Sequence, residues 1–171
     1  MIVPRLETER LLLREFREHD LEAMVAIFAD PDVARFIALD ALPKDREYAW
    51  RTMSGLTGHW MLRGFGMWAV EEKASGRFAG YVGPYYPETW PEKEIGWTLA
   101  REFWGKGYAS EAARTALAFA RDELRWLKVI HVIDPANLRS IAVAAGLGSR
   151  RVGEWQRGAK LLHLYGQALR Q

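Results

Sequence analysis

The stretch Leu99-Ala100-Arg101-Glu102-Phe103-Trp104-Gly105-Lys106-Gly107-Tyr108-Ala109-Ser110-Glu111 places two glycines and a lysine where an apolar run gives way to an Ala-rich, helix-forming one. Glycine adopts the angles of a sharp turn and lets a ligand approach the main chain with no side chain between them. The first amides of the helix that follows lack intrahelical partners and point outward together, which makes an anion site. Lys106 adds a positive charge. The chemistry on offer is the holding of a phosphate or another anion, set against the plainer use of glycine in any tight turn. Neither Gly-x-x-x-x-Gly-Lys-Ser/Thr nor Gly-x-Gly-x-x-Gly occurs in this stretch, so a phosphate need not mean ATP or NAD.

Other reactive groups narrow the chemistry. There is no cysteine, which excludes a thiolate nucleophile, a disulfide and a Cys-ligated metal. His19, His59, His131 and His163 are scattered, no H-E-x-x-H spacing occurs, and no metal is expected. His131 and His163 lie inside apolar runs and read as internally bonded sheet residues. His59 falls in a helical region where contact with a substrate is open.

These groups need a frame. Residues 11–16 read as a first strand, and Asp20 as the cap of a helix whose inward stripe is Leu21, Met24, Val25 and Phe28, stopped by Pro31. Pro43 opens a longer helical pattern with Ala49, Met53, Leu56 and Trp60 on one stripe, weakened by Gly55 and Gly58. These two helices, linked by residues 38–42, are expected to form a movable wall. Residues 67–72 and 77–82 flank a polar, Gly-containing link and read as a hairpin. Residues 94–99 form a strand with Gly96 inside it, the mark of a bulge or a close backbone approach. A helix from Gly107 to about Asp122 presents Ala109, Ala112, Ala113 and Ala116 for close packing on a sheet. Residues 128–133 read as a buried strand, Asn137 caps a short helix ending at Gly146, and residues 150–155 and 161–166 form a last hairpin. A helix with strands on both sides requires a crossover, so the fold is α/β with a mixed sheet. Six or seven strands and about four helices are expected, in one domain over residues 1–171.

A chain of 171 residues can bury a core, and 49% hydrophobic with 27% charged residues argues against disorder. The net charge is only +2 although the pI is about 9.0, and basic residues are interleaved with acidic ones rather than gathered in a stripe. That balance requires no nucleic acid and suits a small anionic ligand. No apolar run approaches a membrane span and the opening residues lack the apolar core of a signal peptide, so a cytoplasmic protein without a membrane partner is expected. The eight tryptophans fill the core or, for a few, line a substrate pocket.

Trp104-Gly105-Lys106-Gly107-Tyr108-Ala109-Ser110-Glu111-Ala112 resembles the pyrophosphate-binding segment of the GNAT superfamily of N-acetyltransferases, particularly the branch of ribosomal-protein alanine and serine N-acetyltransferases. The family pattern is Gln or Arg, two variable residues, Gly, one variable residue, then Gly or Ala. Gly107 and Ala109 fill the last two positions, and Trp104 replaces the first, as it does in this branch. Residues 6–14, 94–97 and 134–140 are similar to the branch's opening, fourth strand and following helix start. The resemblance implies an acyl-CoA N-acyltransferase fold in which the fourth and fifth strands splay at a bulge and the pantetheine arm of acetyl-CoA enters between them. It implies backbone bonds from Trp97, Thr98 and Leu99, cofactor contacts at Trp104, Gly105, Lys106, Gly107, Tyr108 and Ala109, and a contact from Asn137, which also reads as a helix cap.

By the same resemblance acetyl-CoA is the cosubstrate and a primary amine the acceptor, either a protein N-terminus or a small molecule, with direct transfer in a ternary complex. A backbone amide near Trp97 would stabilise the oxyanion. Glu94 falls on the acceptor side as the base for the amine; its other reading is a solvent-exposed or ion-paired strand residue. The Tyr that many members carry in the last central helix is missing from residues 141–145. Ser140 is the substitute this branch suggests for the thiolate side, against a reading in which its hydroxyl serves the helix backbone. The competing function class is an acyl-CoA-binding module without turnover, and assembly as a homodimer is left open.

Overall fold

The computed structural model describes residues 3–170. The apolar runs form β1 (Leu6–Glu7), β2 (Leu11–Arg14), β3 (Trp68–Glu72), β4 (Arg77–Tyr85), β5 (Glu94–Leu99), β6 (Lys128–Ile133), β7 (Arg150–Arg157) and β8 (Lys160–Ala168). They make one sheet in the order β1-β2-β3-β4-β5-β6-β8-β7. Every neighbouring pair is antiparallel except β5 and β6, which are parallel because the chain between them crosses over through a helix.

The helices are α1 (Leu21–Ala29), α2 (Pro31–Ile37), α3 (Arg46–Arg63), α4 (Tyr108–Asp122) and α5 (Leu138–Gly146). Strand alternation sends successive side chains to opposite faces of the sheet, and each face has its own core. Trp68 and Val70 join Leu13, Val82, Ile95 and Leu99 beneath Ala112, Ala113, Ala116 and Ala120 of α4. These alanines are fully buried, so α4 lies close on the sheet and a larger side chain there would overpack it. Ala69, Phe78 and Tyr81 point the other way, against Met24, Ile27 and Phe28 of α1 and Ala49, Met53 and Leu56 of α3. Among the described residues no helix is long and apolar enough to cross a membrane.

Among the described residues, eight strands and five α-helices exceed the expected six or seven and about four. The added strand, β1, has two residues, too few to show periodicity, and exists because Leu6 and Glu7 pair with Leu13 and Leu12. The added helix arises because Pro31 does more than end α1. Proline is well tolerated at the first position of a helix, and Asp30 before it accepts from the Asp32 N–H as an N-cap (2.9 Å). The longer helix opens after Asp45, whose carboxylate accepts from the Tyr48 N–H (2.9 Å), rather than at Pro43. β5 pairs in regular register with β4, so Gly96 marks a close approach and not a bulge: a Cβ there would lie 2.6 Å from the Met67 side chain.

A buried ion network fixes the root of α1. Arg14, only 1% exposed, donates to both oxygens of Asp20 (2.7 and 2.8 Å) and through Nε to Glu71 (2.7 Å). It thereby ties β2 and β3 to the turn before α1.

Candidate active site

β5 and β6 pair at one position, Glu94 opposite Ile130, next to which the Ile130 N–H donates to the Lys93 carbonyl (2.9 Å). Past it the ladder stops, and backbone groups on the two facing edges must find other partners. Side chains supply several. The Val132 N–H donates to the Glu94 carboxylate (2.9 Å), the Ile95 carbonyl accepts from His131 Nδ1 (2.6 Å), and the Leu99 carbonyl accepts from the Trp104 indole N–H (2.9 Å). By strand alternation the N–H and C=O of Trp97, between Ile95 and Leu99, face the same gap, where β6 offers them no ladder partner. They are open to a strand-like ligand.

The gap leads into a cleft of about 380 Å³. Val33, Phe36 and Ile37 of α2 form one wall; Asn137, Arg139, Ser140, Ala142 and Val143 at α5 form another. Trp97, Thr98 and Leu99 lie along it, and Trp104, Gly105, Gly107, Tyr108, Ala109 and Ser110 close one end. Gly107 is the N-cap of α4, with a left-handed φ of 79°, and no side chain caps this helix, whereas Asp30, Asp45 and Asn137 cap α2, α3 and α5. The first helical bond runs from the Glu111 N–H to the Gly107 carbonyl (3.0 Å), leaving the amides of Tyr108, Ala109 and Ser110 without intrahelical partners. Such a helix start attracts an anion. Glu111, which would repel one, is already paired: it accepts from the Thr8 hydroxyl (2.5 Å), the Arg10 N–H (2.9 Å) and Arg10 Nε (2.7 Å). Arg10 also donates to the Lys106 carbonyl (2.9 Å), which holds the turn.

Toward Glu94 the cleft continues as a smaller cavity of about 70 Å³, which shares Phe36, Ile37, Trp97, Asn137 and Ser140 with it and adds Glu94, His131 and Asp134. Glu94 is 6% exposed. Its second oxygen accepts from the Trp90 indole N–H (2.7 Å). Burial pushes its carboxyl up to about 7, against the opposing pull of the Val132 and Trp90 donors and of the Arg157 charge. Glu94 is therefore neither solvent-exposed nor ion-paired. A carboxyl that titrates near neutrality can both take and release a proton there.

Ser140 Oγ accepts from the Trp97 indole N–H (3.2 Å), and Asn137 Oδ1 accepts from the Ser140 N–H (3.1 Å). Indole nitrogen only donates, so the Ser140 hydroxyl proton stays free to point into the cleft. His131 is neutral: burial pushes its pKa down to about 4. Its Nδ1–H is committed to the Ile95 carbonyl and its Nε2 bonds the Ser149 hydroxyl (3.0 Å). His59 lines neither cavity. Its Nδ1 bonds the Phe65 carbonyl (2.7 Å) and its Nε2 accepts from the Tyr86 N–H (3.1 Å), so it is a strut between α3 and the end of β4, and the open reading of a substrate contact is dropped.

The family described as "Acetyltransferase (GNAT) domain" matches residues 10–150. The chain belongs to this family. The acetyltransferase is 33% identical over 160 residues to the uncharacterized protein YkkB of Bacillus subtilis, covering 90% of this chain and 91% of that one. It is 30% identical to the FsC-acetyl coenzyme A-N(2)-transacetylase of Aspergillus fumigatus, over 87% of this chain and 66% of that one. Among solved structures, an acetyltransferase from Agrobacterium tumefaciens superposes with a TM-score of 0.85 at 28% identity, covering 98% and 95% of the two chains. The ribosomal-protein-S5-alanine acetyltransferase of Vibrio fischeri shares the fold, with a TM-score of 0.74 at 17% identity and 98% and 97% coverage.

Of the residues singled out in the sequence, Trp97, Thr98, Leu99, Trp104, Gly105, Gly107, Tyr108, Ala109, Asn137 and Ser140 meet in the cleft of this acetyltransferase, with Glu94 at its end. Lys106 does not: its ammonium lies 3.9 Å from Glu72 and over the Phe103 ring, and the cation that lines the cleft is Arg139, stacked 4.7 Å above the Trp104 ring. The sequence reading passed over α2, Arg139 and Trp90. Asp30-Pro31 was an available signal for α2, whereas nothing local marks Trp90 as the donor to Glu94.

Proposed function

We propose that this acetyltransferase moves an acetyl group from acetyl-CoA directly to a primary amine, either a protein N-terminus or a small molecule. Glu94 takes the amine proton and Ser140 serves the thiolate side. One arrangement carries the reading: a buried carboxyl titrating near 7 stands at one end of a gap whose other end is an uncapped helix start. Between them lie the free N–H and C=O of Trp97. Such a cleft suits an extended amide-containing arm that ends in phosphates. The Trp97 backbone would bond the arm, Asn137 would flank it, and the amides of Tyr108 to Ser110 with Arg139 would hold the phosphates.

Bound acetyl-CoA supplies an electrophilic carbonyl and a thiolate leaving group. The chain supplies alignment, proton handling and an oxyanion donor near Trp97. At neutral pH part of the Glu94 population is ionised and accepts a proton from the incoming ammonium, directly or through one water. Ser140, its oxygen held by the Trp97 indole, presents a hydroxyl proton toward the sulfur side. No cysteine is present to carry an acyl group, and no covalent enzyme intermediate is needed. The name of the fungal relative, an N(2)-transacetylase, supports nitrogen as the acceptor atom. The test is thiol release from acetyl-CoA over a panel of amines, run beside thermal stabilisation by CoA. Stabilisation with no turnover of any amine would favour a CoA-binding module instead.

A further inference from the structure

Beyond Glu94 lies a group of side chains that the transfer reaction does not use. Trp90 packs edge-to-face on Tyr85 at the end of β4 (5.1 Å between ring centroids) and on Trp155 of β7 (4.9 Å). The Arg157 guanidinium lies 4.6 Å above the Trp90 ring and 5.6 Å from that of Trp155. The same Trp90 indole donates its N–H to Glu94. One side chain therefore sets the spacing between a carboxyl on its edge and a guanidinium on its face.

Arg157 is half-buried, and among the described residues it has no carboxylate at ion-pair distance. The other arginines that bind side chains near the sheet are spoken for: Arg14 by Asp20 and Glu71, Arg10 by Glu111. Of the other charges around the cleft, Arg35 over the Phe36 ring and Arg139 over the Trp104 ring also have no carboxylate at ion-pair distance among the described residues, but neither stacks on the indole that bonds Glu94. Asp134, which lines the Glu94 cavity, meets the Lys160 ammonium (3.3 Å), and Lys160 also donates to the Arg35 carbonyl at the end of α2 (2.8 Å). Those contacts tie the turn that follows Arg157 across the acceptor end of the site. On the Trp90 side of Glu94 the uncompensated charge is the Arg157 guanidinium stacked on indole, with its N–H edges available; that geometry matches a carboxylate.

We propose that Arg157 determines acceptor specificity by receiving a carboxylate carried by the acceptor, so that the preferred acceptors are small amines bearing a carboxylate a few bonds from the nitrogen. The inference rests on the acetyl-transfer reading of Glu94 and deepens it. The amine meets Glu94 while the acid meets Arg157, and the Trp90 ring between them keeps the spacing short. A lone ammonium would meet the repulsion of Arg157 with only Glu94 to offset it.

The experiment compares kcat/KM for matched amines with and without the carboxylate, such as phenylalanine against phenethylamine and 4-aminobutyrate against butylamine, with a short neutral peptide as a third arm. It uses the wild type, Arg157→Gln and Arg157→Lys. The readout is the ratio between partners, which cancels any general loss of activity. The wild type should favour the carboxylated amine by at least about tenfold, mostly through KM, and Arg157→Gln should bring the ratio within about twofold while Arg157→Lys keeps part of it. A ratio that survives Arg157→Gln, or a wild type that prefers the neutral peptide, overturns the proposal. If CoA binds and no amine turns over, the transfer reading fails on its own. Calorimetric binding of the carboxylated amine to the CoA-loaded protein then decides the Arg157 assignment, and equal affinity in wild type and Arg157→Gln overturns it.

Discussion

Glu94 offers the most direct test of the proposed chemistry, because its environment fixes both an activity profile and a stability profile. Its carboxyl is raised from 4.5 to about 7 by burial. Between those values the folded protein holds a proton that the unfolded chain has released, so stability falls as pH rises through this window. At roughly 1.4 kcal/mol per pH unit, the full cost of ionising Glu94 in place is about 3 kcal/mol. Activity should run the other way, since only the ionised form accepts the amine proton. In the wild type kcat/KM should rise with pH up to about 7 and then continue only as the free amine fraction increases. Glu94→Gln should remove the limb near 7 and slow turnover by about tenfold at neutral pH, with a smaller effect at alkaline pH where more acceptor is already deprotonated. It should also flatten the stability profile. Trp90→Phe removes one of the two donors to the carboxylate and should move the limb to higher pH without abolishing it. The assays are thiol release across the pH range and urea denaturation below and above the window. A Glu94→Gln enzyme that keeps the wild-type limb, or a Trp90→Phe enzyme whose limb does not move, would refute the assignment of Glu94 as base.

Other predictions probe separate parts of the site. Gly107→Val forces a β-branched residue into a left-handed φ of 79° and places its Cβ 3.4 Å from the Arg10 guanidinium; calorimetry should show CoA binding weakened at least roughly tenfold, about 1.4 kcal/mol, and unchanged affinity in a folded variant would reject the anion site. Ser140→Ala should lower turnover by about tenfold while CoA affinity stays within about threefold, because its hydroxyl serves the sulfur and not the phosphates. Asp20→Ala leaves the buried Arg14 short of its bidentate partner and should cost about 3–5 kcal/mol in denaturant unfolding; a loss within the surface range, under about 1 kcal/mol, would contradict the buried ion network. Hydrogen exchange in α2 and residues 38–42 should be faster than in β6 and should slow when an acceptor-like ligand binds, and equal protection without ligand would count against a movable wall.

Much of the frame was legible because seven of the strands and four of the helices carry their own periodicity, as in the alanine stripe of α4 and the apolar run of β6. β1 was not, since its two residues owe their conformation to β2. α2 was missed because Pro31 ends one helix and begins the next, and only the second role places Phe36 and Ile37 on the cleft. The anion end was readable as spacing, because glycines and a helix start are adjacent in the chain. The buried state of Glu94 was not readable: a carboxylate at the head of a strand looks exposed until one knows that the neighbouring strand leaves it there. The same holds for Trp104. As a letter it is a departure from the family pattern, whereas in three dimensions its N–H satisfies the Leu99 carbonyl. Lys106 shows the converse error, a residue correctly placed in the turn whose side chain leaves toward Glu72.

The position of the proposed reaction follows from an accounting of backbone hydrogen bonds. A parallel strand pair that stops after one register exposes donors and acceptors that water or protein must satisfy, and in a buried sheet an unpaired group costs on the order of 1–3 kcal/mol. Here Glu94, His131 and Trp104 answer for Val132, Ile95 and Leu99, each with a side chain that reaches across or along the gap. The first two of those bonds cross from one strand to the other and hold the gap, while the third closes on the Leu99 carbonyl from the turn that follows the same strand. They also leave Trp97 as the place where a ligand can gain the bonds that the sheet forgoes. One of the three stitches is an ionisable carboxyl, so the residue that closes the sheet on the acceptor side is also the one able to exchange a proton there. A Gln or Asn could complete the sheet less well, since both groups facing Glu94 are donors and an amide nitrogen would oppose one of them. Structure and proposed catalysis thus ask for the same residue type at position 94.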